Sequence, residues 1–122
     1  MPKKILIVED NRNMQDIYTI YFESRKGEFE VEMQGSAEIA LEKTKTDTYD
    51  LIILDIIMEP MTGESFLVYI RENPKTKDIP VLIVSVLSPD MLVQLKKYPK
   101  VEFMQKPIPE EKLIAALNRM LS

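Results

Sequence analysis

The sequence predicts an open α/β fold, a doubly wound (βα)5 three-layer sandwich around a parallel five-stranded sheet in the order 2-1-3-4-5. Three observations predict it. Continuous aliphatic tetrads recur along the chain, Ile5-Leu6-Ile7-Val8, Leu51-Ile52-Ile53-Leu54 and Val81-Leu82-Ile83-Val84, as central strands buried on both faces do. Segments of helical length, apolar at helical spacing, separate them. Two further runs alternate apolar and polar residues, Phe29-Glu30-Val31-Glu32-Met33 strictly and Val101-Glu102-Phe103-Met104 in part, which suits the two edges. Periodicity does not rank the three central strands, so the order rests on right-handed crossovers and one edge strand on each side.

Taken in chain order, each element has a local justification. The first strand leads to a helix whose apolar face is Met14, Ile17, Tyr18, Tyr21 and Phe22, with Gly27 suited to its end. After the second strand, Ser36 suits the N-cap of the second helix, and after the third, Thr62 suits the cap of a helix carrying Phe66, Leu67 and Ile70. The fourth strand runs into Ser88 and Pro89, a start signal for the fourth helix. Following the fifth strand, Pro109, Glu110 and Glu111 open the last helix, with the acids where the helix dipole favours them. Its apolar face is Leu113, Leu117, Met120 and Leu121. Neither repeat nor linker interrupts the pattern, so residues 1–122 read as one domain.

Composition narrows the chemistry. The chain has no cysteine and no histidine, so disulfides, thiolate or Ser-His nucleophiles and ordinary zinc ligation are excluded. What is left is carboxylate, hydroxyl and lysine. A net charge of -4 disfavours nucleic acid and anionic membrane as partners, and the cluster Lys96, Lys97, Lys100 reads as a solvated face because no arginine interleaves it. No apolar stretch has membrane-spanning length, and Met1-Pro2-Lys3-Lys4 does not open a signal peptide. A cytoplasmic location is the expectation.

The polar residues at the ends of the aliphatic runs carry the functional signal. Glu9 and Asp10 follow the first run, Asp55 the third strand, Ser85 the fourth, and Lys106-Pro107 the fifth. Parallel strands place these ends along one edge, where open α/β sheets bind ligands at the switch point between strands 1 and 3. Singly, each is an ordinary surface residue; together they suit one reaction. Clustered carboxylates repel one another unless a cation compensates, and Mg2+ prefers such hard oxygen ligands. One carboxylate is then free to attack phosphorus, with the metal and Lys106 neutralising charge and Ser85 donating to a phosphoryl oxygen.

This set, with Met58 and Gly63 following Asp55, resembles the receiver domain of two-component response regulators over essentially the whole chain, Lys4 to Leu121. The resemblance implies a flavodoxin-like fold of the kind found in single-domain chemotaxis regulators, with Asp55 as phosphoacceptor. It implies Glu9, Asp10, Asp55 and the backbone carbonyl of Ile57 as the Mg2+ site, Ser85 and Lys106 as phosphoryl contacts, Ser85 and Phe103 as switch residues, and a cis Lys106-Pro107 peptide. A receiver of this kind catalyses its own phosphorylation and slow autodephosphorylation. Because the chain lacks histidine, the implied donor is a separate histidine kinase or histidine phosphotransfer protein. The output is a changed surface on the fourth helix, fifth strand and fifth helix, read by a downstream protein or output domain. Met91, Gln94 and Tyr98 are its exposed candidates, with a packing role equally open for each.

Some residues depart from the family pattern. Pro60 stands one place later than the usual proline, and Val86 replaces the usual small residue after Ser85, where it could narrow access to Asp55. Ile57 and Leu87, which flank the expected path of the hydrolytic water, cannot orient a water, which predicts slow phosphate loss. Two alternatives stay open: a receiver-like interaction module that is not phosphorylated, and a flavin-binding flavodoxin-like protein. The second lacks a glycine-rich phosphate cradle after the first strand.

Overall fold

In the computed structural model, which describes residues 1–122, the aliphatic runs become β1 (Lys3–Val8), β3 (Leu51–Leu54) and β4 (Val81–Ser85). The alternating runs become β2 (Phe29–Gln34) and β5 (Val101–Gln105). All pairings are parallel and the order is β2-β1-β3-β4-β5. Edge and centre therefore fall where the alternation placed them. The helices are α1 (Arg12–Glu23), α2 (Ala37–Thr46), α3 (Gly63–Glu72), a 3-10 helix (Pro89–Lys97) and α4 (Glu110–Leu121).

Side-chain alternation divides the core into two layers. Leu6, Val8, Ile52, Leu54, Val81 and Ile83 face α2, α3 and the 3-10 helix, together with Ala40, Phe66, Ile70, Leu92 and Leu95. Ile5, Ile7, Leu51, Ile53, Leu82 and Val84 face α1 and α4, together with Met14, Tyr18, Phe22, Leu113 and Leu117. That is why the central runs are apolar at every position: each successive side chain enters one core or the other. Burying each such side chain contributes about 1.5–3 kcal/mol.

The predicted caps at Ser36 and Thr62 form, their hydroxyls accepting the N–H groups of Ile39 and Ser65 at 3.2 Å. Pro89 begins the 3-10 helix after Ser88, whose side chain makes no capping bond. Three sequence expectations need correction. Gly27 does not end α1; the helix stops at Glu23, and Gly27 lies in the turn that follows. The fourth helix is 3-10 rather than α and is broken at Leu92 (φ -115, ψ 22), in keeping with the poor hydrogen-bond geometry that limits such runs to a few residues. Tyr98 is half-buried against the core rather than exposed, whereas Met91 and Gln94 are exposed. No helix is long and apolar enough to cross a membrane.

Candidate functional site

Register brings the strand ends level. Val8 is paired with Leu54, and Ser85 with Gln105, so the next residues, Glu9, Asp55 and Lys106, emerge at the same edge. The chain leaves β1 toward β2 on one side and later returns to β3 on the other, which opens the switch-point crevice beside these residues.

Lys106 is the centre of the site. Its Nζ donates to Glu9 Oε1 at 2.8 Å and to Asp55 Oδ2 at 3.1 Å. The second oxygen of each acid is held by backbone: Glu9 Oε2 accepts from Asn11 N–H at 3.1 Å, and Asp55 Oδ1 from Ile57 N–H at 3.2 Å. Asp10 completes a group of three carboxylates whose ligand atoms lie within 4.8 Å of one another. Glu9 and Asp55 are buried and Asp10 is exposed, so the cluster has a wet side and a dry side.

Charge is out of balance here, with three acids against one ammonium. Burial raises the Glu9 pKa above its ordinary value, and the charge of Asp55 raises it further, against the opposing pull of Lys106 and the Asn11 N–H. Burial alone would lower the Lys106 pKa, but its bond to Glu9 and the charge of Asp55 outweigh this and raise it. Tyr18, buried in the layer beneath, is pushed far above the ordinary phenol range by burial and by the charges of Glu9 and Asp55. Hard oxygen donors, excess negative charge and an open side suit a small divalent cation.

Ser85 is adjacent but engaged otherwise. Its hydroxyl, fully buried, accepts the Leu87 N–H at 3.2 Å, and its carbonyl accepts the Lys106 N–H at 2.7 Å. No hydrogen bond joins that hydroxyl to Asp55 or Lys106. Phe103 is half-buried against the same core layer as Leu87. A hollow of about 390 Å³ lies against it, lined also by Pro89, Lys96, Val101 and Glu102. Lys106-Pro107 is cis, as the resemblance implied, and so is Glu59-Pro60, which nothing in the sequence had signalled. Val86 is 58% exposed and Ile57 51% exposed, so both stand out from the surface at the rim.

Gly63 explains the spacing after Asp55. A Cβ built there would collide with the Asp55 carbonyl oxygen and lie 2.7 Å from Ile56 Cα. Only glycine lets the start of α3 press on the backbone that carries the acid. Three contributors lay outside the sequence reading. Asn11 Oδ1 caps α1 by accepting the Met14 N–H at 2.9 Å, Gln15 Nε2 donates to the Glu9 carbonyl at 2.6 Å, and Tyr21 donates to the Ile108 carbonyl at 2.8 Å. The Asn11 cap was legible, an Asn just before an amphipathic run; the other two depend on partners that only the fold supplies.

Fold and site together define a class: an open α/β domain with a lysine-bridged acidic cluster at its topological switch point. The chain belongs to the response regulator receiver domain family of two-component systems, whose model matches residues 5–118. It is 32% identical over 120 residues to the response regulator ArlR of Staphylococcus saprophyticus, covering 97% of this chain and 52% of that protein. The chain thus spans about half the length of the curated response regulators it matches. Among solved structures, the Vibrio cholerae chemotaxis response regulator CheY4 superposes with a TM-score of 0.89 at 27% identity, covering 99% of this chain and 100% of that one. The receiver domain of sensor histidine kinase PA1611 from Pseudomonas aeruginosa, solved with a magnesium ion coordinated in its active site cleft, shares the fold with a TM-score of 0.86 at 22% identity, covering 99% and 98% of the two chains.

Proposed function

We propose that this chain accepts a phosphoryl group on Asp55 and reports it as a change in the surface formed by the 3-10 helix, β5 and α4. The observation that carries the reading is the holding of the Asp55 carboxylate, between Lys106 Nζ at 3.1 Å and the Ile57 N–H at 3.2 Å, within 4.8 Å of two further acids. An isolated buried carboxylate would be costly; this one is paired with an ammonium at one oxygen and held by a backbone N–H at the other.

An Asp55 oxygen attacks phosphorus, the bond from phosphorus to the donor breaks, and the donor takes the electron pair and a proton. Lys106 neutralises charge on the transferring oxygens. It is shared at present between Glu9 and Asp55, so it need only redirect one hydrogen bond. Glu9, Asp10, Asp55 and the Ile57 carbonyl would hold Mg2+, which when bound supplies positive charge to the transferring group. The Ser85 hydroxyl, released from Leu87 N–H, would donate to a phosphoryl oxygen of the product. That exchange, with the hollow beside Phe103, gives the switch its physical route; such couplings are worth about 1–3 kcal/mol.

The donor in this reading is a histidine kinase or histidine phosphotransfer protein, and the reader of the changed surface is a downstream protein or output domain. The setting is the cytoplasm, residues 1–122 act as one receiver unit, and neither nucleic acid nor membrane is a direct partner. The test is incubation with Mg2+ and acetyl phosphate followed by intact mass. The parent gains the mass of one phosphoryl group and Asp55→Asn gains none; labelling of both, or of neither, defeats the reading.

A further inference from the structure

Lys106 is held from two directions, and only one of them is the sheet. Upstream, its N–H bond to the Ser85 carbonyl at 2.7 Å continues the pairing of β4 with β5. Downstream the ladder stops. Residues 107–109 include Pro107 and Pro109, which have no N–H to donate. The one hydrogen bond that reaches this stretch from a distant element is donated by Tyr21 Oη to the Ile108 carbonyl, at 2.8 Å. Ile108 is buried in the layer that α1 covers. Four residues after Tyr21, Arg25 pairs with Glu110 at 3.3 Å, at the start of α4.

The opposite end of α1 grips the acidic loop. Asn11 donates its N–H to the Glu9 carboxylate, and Gln15 donates its amide to the Glu9 carbonyl. One helix therefore holds Glu9 at its start and the lysine loop at its last turn.

We propose that Tyr21 is a positioning residue for phosphoryl transfer: through the Ile108 carbonyl its hydroxyl holds the turn at residues 106–109, and with it the placement of the Lys106 ammonium. This rests on the reading of Asp55 as acceptor. Tyr21 touches no reacting atom. It fixes the backbone from which a long, flexible side chain starts, and misplacement by about 1 Å costs up to about 100-fold in reactions that depend on alignment.

The test uses calorimetry on the full chain, titrating Mg2+ alone and then beryllium fluoride, a phosphoryl mimic, at saturating Mg2+. Four proteins are compared: the parent, Tyr21→Phe, Lys106→Ala and the double variant. Tyr21→Phe keeps the ring and loses only the hydroxyl. Its Mg2+ affinity should stay within about twofold of the parent, while beryllium fluoride affinity falls by about threefold to tenfold, the range one neutral hydrogen bond supports. In the Lys106→Ala background the same substitution should cost nothing further. Equal losses for both ligands, an undiminished loss without Lys106, or no loss of beryllium fluoride affinity would each overturn the proposal. If the parent itself fails to bind beryllium fluoride, the acceptor reading falls and the positioning role with it; a parent that binds while Tyr21→Phe loses nothing, or loses as much without Lys106, removes the positioning role alone.

Discussion

Replacing Lys106 with methionine exposes the electrostatics of the site. Methionine keeps an apolar stem but leaves Glu9 and Asp55 without the ammonium that lies 2.8 Å and 3.1 Å from them. The site is dry enough for this to matter, the side chains of Lys106 and Glu9 being 13% and 1% exposed. Removing one partner of a buried charged group costs about 3–5 kcal/mol. The full cost should appear near neutral and mildly alkaline pH in metal-free buffer.

The cost should shrink in acid, and the sign follows from Glu9. Burial first, and then the charge of Asp55, raise its folded pKa above the ordinary 4.5. The folded state thus binds the proton more tightly than the unfolded state, and stability falls as pH rises from that value through the raised one. Lys106 opposes the shift, so its removal raises the Glu9 pKa further and widens the falling window upward. Lys106 adds no slope of its own there, because its pKa is raised above 10.5 and its stabilising charge is lost only at more alkaline pH. Urea unfolding at about pH 5 and about pH 8 measures both effects. With a slope of about 1.5 kcal/mol per molar, the midpoint should drop by about 2–3 M at the higher pH, and by less at the lower. Equal drops at the two pH values, or none at either, would refute the reasoning.

Two other outcomes are expected. Gly63→Ala should destabilise the fold by about 1–3 kcal/mol in the same assay, because the new methyl must displace the backbone of Asp55 and Ile56; it should also weaken Mg2+ binding measured by calorimetry, and retention of both would mean that the start of α3 yields freely. Ile57→Gln should shorten the lifetime of the phosphorylated state by about tenfold, less than a fully positioned general base contributes, as followed by intact mass after removal of donor. Leu87→Gln should do the same with an added stability loss, since Leu87 packs on the core and Ile57 is half exposed; unchanged lifetimes in both variants would sink the idea.

Much of the site was legible because its residue types are set by strand ends, which are local features. Glu9, Asp10, Asp55, Ser85 and Lys106 each follow an apolar run, and the same runs predict where the strands stop. The role of Val86 was not legible in this way. Val86 stands at the rim, 58% exposed, and whether a residue just past a strand points inward depends on how the following loop turns. The burial of Tyr98 and the 3-10 character of the fourth helix were not legible for a related reason: spacing announces an amphipathic helix without distinguishing i+3 from i+4 hydrogen bonding over nine residues broken at Leu92.

By itself the sequence determined the element order, the division into central and edge strands, and the chemical inventory of the site. These follow from hydrophobic periodicity and from residue types at run boundaries, both properties of short stretches. Tertiary structure alone decided which oxygen Lys106 grips, since that bond joins Glu9 to a residue 97 positions away. It also decided that the Ser85 hydroxyl is held by Leu87, that Gly63 presses on Asp55, and that α1 ties the acidic loop to the lysine loop through Gln15 and Tyr21. Distances of this kind belong to the packing of whole elements, and no local pattern encodes them.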